Sequence, residues 1–276
     1  MKIQEIIFCH TSTLSTKELN YLREICETYK VNLNVFDIGS ISYDLLENYR
    51  GLARDYLGIE VDTGQIISPD EFVAFYGKNK LSTRLDTAFH FREDELQKIG
   101  TTLDNHDLVV VLGRAGVGKT RLALECCTRF GELHPEYKTL CIFNRGPDIF
   151  EDLSIHFGEP GAFLILVDDA NRMSNFEYFI QLLQHQRADR RIKIIATVRD
   201  YAAEKVREAS RAYGEMQELN IAPLTEEQIK ELVEKEYGIR HYLYLDRIAN
   251  IAKGNPRLAI MVAEVAKEKD TLDSIN

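Results

Sequence analysis

The chain has 276 residues, 45% apolar and 28% charged, with a net charge of −10. This composition excludes a disordered chain, and the charge opposes broad non-specific binding to nucleic acid, which depends on neutralising phosphates. The five cysteines form no C-x-x-C pair and the seven histidines no metal-ligand spacing, so nothing points to a zinc cluster or dithiol motif.

No run approaches the ~18 apolar residues of a membrane span, and Met1–His10 is too short an apolar stretch for a signal peptide. The expected location is the reducing cytoplasm, with no membrane partner. Arg187–Lys193 is the densest basic stretch; it reads as a solvated loop before a strand.

In chain order, residues 3–8 read as a short buried strand. Residues 16–29 form a helix with Ser15 or Thr16 as its cap, 31–38 a second strand by alternation, and 40–49 a second helix. This predicts a small N-terminal βαβα unit over 1–60. Residues 51–90 are punctuated by Gly51, Gly58, Gly64, Pro69 and Gly77, and read as irregular, with 61–90 a linker.

From about 91 the pattern becomes regular α/β. Helices are expected at 92–103, 119–130, 148–157, 174–187 and 200–210. Strands are expected at 107–112, 139–143, 163–167, 192–197 and 216–221. The alternation implies a parallel sheet covered by helices on both faces, here a core over 91–222. Helices at 225–236, 241–252 and 256–268 form a C-terminal helical lid over 223–276.

The sharpest motif is Gly113-Arg114-Ala115-Gly116-Val117-Gly118-Lys119-Thr120, directly after the apolar run 108–112. It fits the phosphate-loop pattern G-x-x-x-x-G-K-S/T between a buried strand and a helix. By chance the bare pattern arises in roughly 1% of chains this long, so its context makes it specific. Glycines let successive N–H groups point at one anion, and the helix adds the positive end of its dipole. Lys119 supplies a charge for the β- and γ-phosphates, and the Thr120 hydroxyl a ligand for Mg²⁺. Arg121 follows in the helix's first turn.

Strand 163–167 ends in Asp168-Asp169. Two carboxylates closing a buried strand are costly without partners or a task. Asp168 is expected to hold Mg²⁺ with Thr120, and Asp169 to polarise the attacking water. Two helix-capping aspartates are the plainer alternative. Strand 192–197 ends in Thr197-Val198-Arg199. Arg199 could pair with γ-phosphate oxygens and report whether that phosphate is present; a capping threonine beside a surface arginine is the alternative.

Together these residues resemble the STAND class of signal-transduction ATPases, relatives of the AAA+ and NB-ARC proteins. Phe91-Arg92-Glu93-Asp94-Glu95-Leu96 resembles the family's leading segment near the base. Leu164–Asp169 resembles its second nucleotide motif, and Thr197-Val198-Arg199 its T-x-R sensor. Pro223-Leu224-Thr225-Glu226-Glu227 resembles the start of its lid. Gly254-Asn255-Pro256-Arg257-Leu258-Ala259 is similar to its G-x-P motif, whose proline contacts the adenine. The resemblance covers roughly 90–268. It implies an ATP-binding, slowly hydrolysing switch with Mg²⁺, in prokaryotic antiviral defence or signalling. It further implies a homo-oligomer on activation and a protein trigger or effector. Phe91 and Pro256 would enclose the base. ATP over GTP rests on this likeness, since no N-K-x-D motif occurs.

Residues 35–59 are similar to the back half of Mrr-type restriction-endonuclease-like domains, which accompany some STAND ATPases. The acid and E-x-K that hold the metal in such nucleases have no counterpart in residues 1–60, so no nuclease activity is expected from this chain. The chain also stops just after the G-x-P helix, short of the winged helix and repeats usual in the class. It is expected to be a fragment, or a minimal version that needs a partner. Two rival readings remain: a DNA-associated effector regulated by ATP, which the net charge opposes, and a non-hydrolysing ATP-binding scaffold.

Overall fold

The computed structural model describes residues 3–47, 49–59, 62–78, 85, 88–145, 148–173, 175–211, 213–214 and 216–268. The end of the predicted lid (269–276) and linker residues 79–84 and 86–87 lie outside the described residues. The chain divides into two compact units, one of residues 1–64 with 146–148, the other of the remainder.

In the first unit, β1 (Glu5–Cys9) and β2 (Asn32–Phe36) pair in parallel, with Ile6 opposite Leu33 and Phe8 opposite Val35. Helix α1 (Thr16–Thr28) makes the crossover that a parallel pair requires. Ser15 caps it in a reciprocal box with Glu18. Helices α2 (Ile38–Glu47) and α3 (Arg50–Leu57) follow.

The second unit begins with β3 (Ile66–Ile67) and α4 (Pro69–Lys78). The expectation of irregular structure over 51–90 is corrected here, because α3, β3 and α4 are regular. A two-residue strand carries no periodicity, and a glycine can mark an element's end as well as a loop: Gly58 is the left-handed cap of α3. Strand β3 pairs antiparallel with β5 and extends the sheet by one edge strand.

The remaining elements follow the expected alternation: α5 (Glu93–Asn105), β4 (Leu108–Gly113), α6 (Lys119–Leu133), β5 (Tyr137–Ile142), α7 (Phe150–Phe157), β6 (Gly161–Val167), α8 (Glu177–Gln184), β7 (Arg190–Arg199), α9 (Ala203–Ser210) and β8 (Gln217–Asn220). The sheet order is β3-β5-β6-β7-β4-β8, with every pairing but the first parallel.

Alternation along each strand feeds two apolar layers. Leu108, Val110 and Leu112 of β4, with Phe163, Ile165 and Val167 of β6, face the side of α7, α8 and α9. Val109, Val111, Leu164 and Leu166 face the side of α4, α5 and α6. Burial on both faces explains why these strands are apolar throughout. Cys126 and Cys127 of α6 and Cys141 of β5 belong to the second layer. Burial pushes the thiols of Cys126 and Cys141 up to about 12 and that of Cys127 well above its ordinary value. They are core residues, not nucleophiles.

Three helices complete the unit: α10 (Glu226–Tyr237), α11 (Tyr242–Ala252) and α12 (Pro256–Glu268), around a small core of their own that includes Ile229, Val233 and Ala259. Thr225 caps α10 through a box with Gln228, and Gly238 closes it in the left-handed conformation.

Candidate functional site

The phosphate loop joins β4 to α6. Gly116 and Gly118 take φ values of 77° and 100°, which residues with a Cβ rarely adopt. These turns wrap the loop over the N-terminus of α6, where the first helical N–H groups have no carbonyl partner within the helix. The loop therefore offers a cradle of N–H donors to an anion.

Lys119 is 6% exposed and donates to Gly113 O at 2.8 Å and Arg114 O at 2.9 Å. Burial lowers its pKa, against the opposing pull of Asp169 and Asp168. The ammonium thus braces the loop's own carbonyls beside two carboxylates.

Sheet order places the acids. Strands β4 and β6 are not neighbours; β7 lies between them. Thr197 of β7 stands opposite Val111 of β4, and Ala196 opposite Val167 of β6. Thr197 therefore arrives beside Asp168, one step past the end of β6. Its hydroxyl donates to Asp168 Oδ1 at 2.8 Å and accepts the Asp169 N–H at 2.9 Å. Thr120 donates to the same Asp168 Oδ1 at 2.7 Å. Tyr76 of α4 donates its hydroxyl to Asp168 Oδ2. Burial, and then the Asp168 charge, push the Tyr76 phenol far above its ordinary value, so it remains a donor.

Asp169 sits in the left-handed region at φ 47°, uncommon for a residue with a side chain. Its carboxylate accepts from Arg199 Nε at 3.2 Å and Nη2 at 2.8 Å. That fork holds the guanidinium pKa well above its ordinary value. Asn171 Oδ1 accepts the Arg199 N–H at 3.1 Å.

The other end of the site is apolar. Phe91 and Arg92 both adopt positive φ, 61° and 65°. Consecutive left-handed residues persist only where their surroundings over-determine them. Here Arg92 supplies the surroundings: its guanidinium donates to Val117 O at 3.0 Å and Ala222 O at 2.8 Å, and pairs with Glu95 at 3.1 Å. Phe89 lies under the guanidinium groups of Arg121 (5.3 Å) and Arg129 (5.8 Å). His90 contacts Glu236 of α10 at 2.5 Å.

Helix α12 closes the site. Asn255 Nδ2 donates to Ala115 O at 2.9 Å, and the Arg257 N–H to Gly116 O at 3.4 Å. An open cleft lies between these groups. Lys119, Thr120, Asp168, Asp169 and Arg199 line its polar end; Phe91, Leu224, Leu232, Pro256 and Ile260 line its apolar end. This division suits a molecule with an anionic tail and a flat apolar head.

No protein-family model matches the chain, and no curated protein matches it by sequence. Solved structures do match. The S. cerevisiae Hsp104–ADP complex is similar over 76% of this chain and 35% of that one, at a TM-score of 0.54 and 16% identity. A point mutant of Thermotoga maritima RuvB is similar over 75% of this chain and 67% of that one, at a TM-score of 0.51 and 16% identity. The fold, a mostly parallel sheet flanked by helices, matches that of these P-loop ATPases. A second T. maritima RuvB chain, a Holliday junction branch migration motor, aligns over 64% of this chain at a TM-score of 0.49 and 16% identity. The alignment spans 62% of that motor's length, less than two thirds.

Within this fold, Gly113–Arg121, Asp168, Asp169, Arg199, Phe91 and Pro256 all line one cleft, apart from Gly113 and Arg114, whose carbonyls hold the Lys119 ammonium. Tyr76 lies outside the motifs read from the sequence, whereas Thr197 and Arg257 lie inside two of them and gain new roles, Thr197 as a bridge between the two acids and Arg257 as a residue lining the cleft. Thr197 carries a signal, its place in Thr-Val-Arg at a strand end. Arg257 carries one too, beside Pro256 in the first turn of α12. Tyr76 carries none, because only the packing of α4 brings it to Asp168. Among the described residues no cluster of three or more His, Cys, Asp or Glu could hold a metal, and no helix is long and apolar enough to cross a membrane.

Proposed function

We propose that the chain is an ATP-binding, slowly hydrolysing molecular switch of the STAND type. The observation that carries this reading is the single cleft into which the phosphate loop, Asp168, Asp169, Arg199 and Pro256 of the lid all project.

Gly113–Thr120 hold the phosphates through backbone N–H groups, and Lys119 exchanges its loop carbonyls for β- and γ-phosphate oxygens. The donors fit Mg²⁺: Thr120 spends its proton on Asp168 and keeps oxygen lone pairs free. One hydroxyl and one carboxylate suit an ion that takes few protein ligands and completes its shell with phosphates and water. Held by Thr120 and Asp168, it would neutralise charge on the phosphate oxygens. Asp169 orients the attacking water, Arg199 senses the γ-phosphate, and Arg257 brings a further cation from the lid. Phe91 and Pro256 enclose the base.

Hydrolysis needs Asp169 and Arg199 apart, because each occupies the other's working groups. A γ-phosphate competes for the guanidinium and releases the carboxylate. ATP and ADP therefore bias the pair differently, as a switch requires. Slow turnover follows from this pairing. Assembly into homo-oligomers, a protein trigger and a role in prokaryotic antiviral defence extend the reading from the STAND likeness. The parallel β1–β2 pair with its crossover helix agrees with a partial restriction-endonuclease-like unit.

Titration with a fluorescent ATP analogue tests the reading. Lys119→Ala should lose binding by a factor of ten or more; wild-type affinity in that variant overturns it.

A further inference from the structure

Tyr76 lies near the end of α4. Its ring packs on Phe72 at 4.9 Å between centroids, and Phe72, fully buried, meets Phe143 edge-on at 5.9 Å. The ring is thus anchored in the core layer while its hydroxyl reaches the polar end of the cleft.

The hydroxyls around Asp168 are unevenly shared. Thr120 and Thr197 both donate to Oδ1, whereas Tyr76 donates to Oδ2. A carboxylate oxygen accepts about two hydrogen bonds. Oδ1 is therefore fully used, and Oδ2 keeps one accepting position. A water in the shell of a hydrated cation would have to donate there. The direction of that position depends on what holds Oδ2, and the group that holds it is Tyr76.

We propose that Tyr76 is a positioning residue for the metal: its hydroxyl fixes Asp168 Oδ2 so that the remaining lone pair receives a Mg²⁺-bound water, which makes α4 part of the Mg²⁺-nucleotide site. The proposal rests on the nucleotide-binding reading above. Neither Thr120 nor Thr197 can replace the Tyr76 hydroxyl, since both point at the other oxygen.

Tyr76→Phe removes the hydroxyl and keeps the ring. The test is the affinity for a fluorescent ATP analogue in excess Mg²⁺ and in EDTA, for wild type and variant. The expected result is an EDTA affinity within twofold of wild type, with the gain conferred by Mg²⁺ reduced about tenfold, the scale of one hydrogen bond to a charged group. An undiminished Mg²⁺ gain overturns the proposal. So does an equal fall in both conditions, which would mark a packing role. If Tyr76→Phe fails to fold, 3-fluorotyrosine at position 76 reads the same contact by ¹⁹F resonance. Its signal should shift with Mg²⁺-nucleotide and not with nucleotide in EDTA; identical spectra overturn the proposal. A wild type that binds no nucleotide in either condition overturns the nucleotide reading itself, and this proposal with it.

Discussion

Arg199 grips Asp169 with two parallel hydrogen bonds, 3.2 Å from Nε and 2.8 Å from Nη2, across the ends of two neighbouring strands. The pair is partly exposed, 25% and 28% at the side chains. It therefore contributes only modestly to stability, about 0–1 kcal/mol, and can be broken by a competing anion. Arg199→Ala should leave the thermal midpoint nearly unchanged but erase the preference between ATP and ADP. Paired dissociation constants for the two nucleotides check this; a preserved preference would remove Arg199 from the sensing role.

Asp169→Asn should reduce phosphate release by roughly 10²–10⁴, the range of a lost general base. Nucleotide affinity should persist or rise, because Arg199 loses its anionic partner. Phosphate release at saturating ATP measures the first effect and equilibrium titration the second. If wild-type release already equals that of the variant and of buffer, the chain is a non-hydrolysing scaffold.

Thr197→Val keeps shape and deletes one hydroxyl. The hydroxyl donates to Asp168 and accepts from the Asp169 N–H, so both acids lose a fixed partner. Thr197 is 1% exposed, so water cannot take over, and the cost is about 1–3 kcal/mol. Urea unfolding should show that loss, and phosphate release should fall more steeply than affinity.

Gly116→Ala should detach the lid from the phosphate loop. The residue has φ 77°, and a Cβ there would lie 2.6 Å from Asn255 Oδ1 and 3.1 Å from Arg257 Cβ. Backbone strain alone costs roughly 1–2 kcal/mol. The contact adds to it by pushing out the two residues that bind Ala115 O and Gly116 O. The expected result is faster amide exchange at the start of α12 together with weaker nucleotide binding. Unchanged exchange there would show that α12 accommodates the methyl.

Burial lowers the Lys119 pKa below the ordinary lysine value of 10.5. Phosphate binding requires the charged form. Affinity should therefore hold at neutral pH and decline as pH rises through the lowered value, earlier than for an exposed lysine. The sign for stability is opposite. While Lys119 is charged its burial costs folding free energy, and that cost is relieved as the pH climbs through the folded-state value. Dissociation constants measured from neutral to alkaline pH give the midpoint; a bend only at or above 10.5 would contradict the burial effect.

Most of the candidate site was legible because its parts are local. Gly113–Thr120, Asp168-Asp169 and Thr197-Val198-Arg199 each occupy a few consecutive residues at the end of an apolar strand, and periodicity marks such strands well. The Pro223–Glu227 and Gly254–Ala259 turns were readable for the same reason, since capping and glycine conformations are set by near neighbours. Strand β3 was not readable, because two residues show no alternation. Tyr76 was not readable either; an aromatic residue on a short helix is ordinarily core, and its ring does pack there.

Residue order alone sets which groups exist and where each strand delivers them: a loop able to curl around phosphate, two carboxylates, a hydroxyl with an arginine two residues on, and a proline at the head of a helix. Their partners are set by strand order and helix packing. Placing β7 between β4 and β6 sends Thr197 to both acids and Arg199 to Asp169. Packing α4 against the end of β5 sends Tyr76 to Asp168. Docking α12 on Gly116 brings Asn255 and Arg257 to the phosphate loop. Local pattern is a property of a few residues and their own backbone, whereas partner choice depends on strand order and helix docking, which bring together residues as far apart as Tyr76 and Asp168.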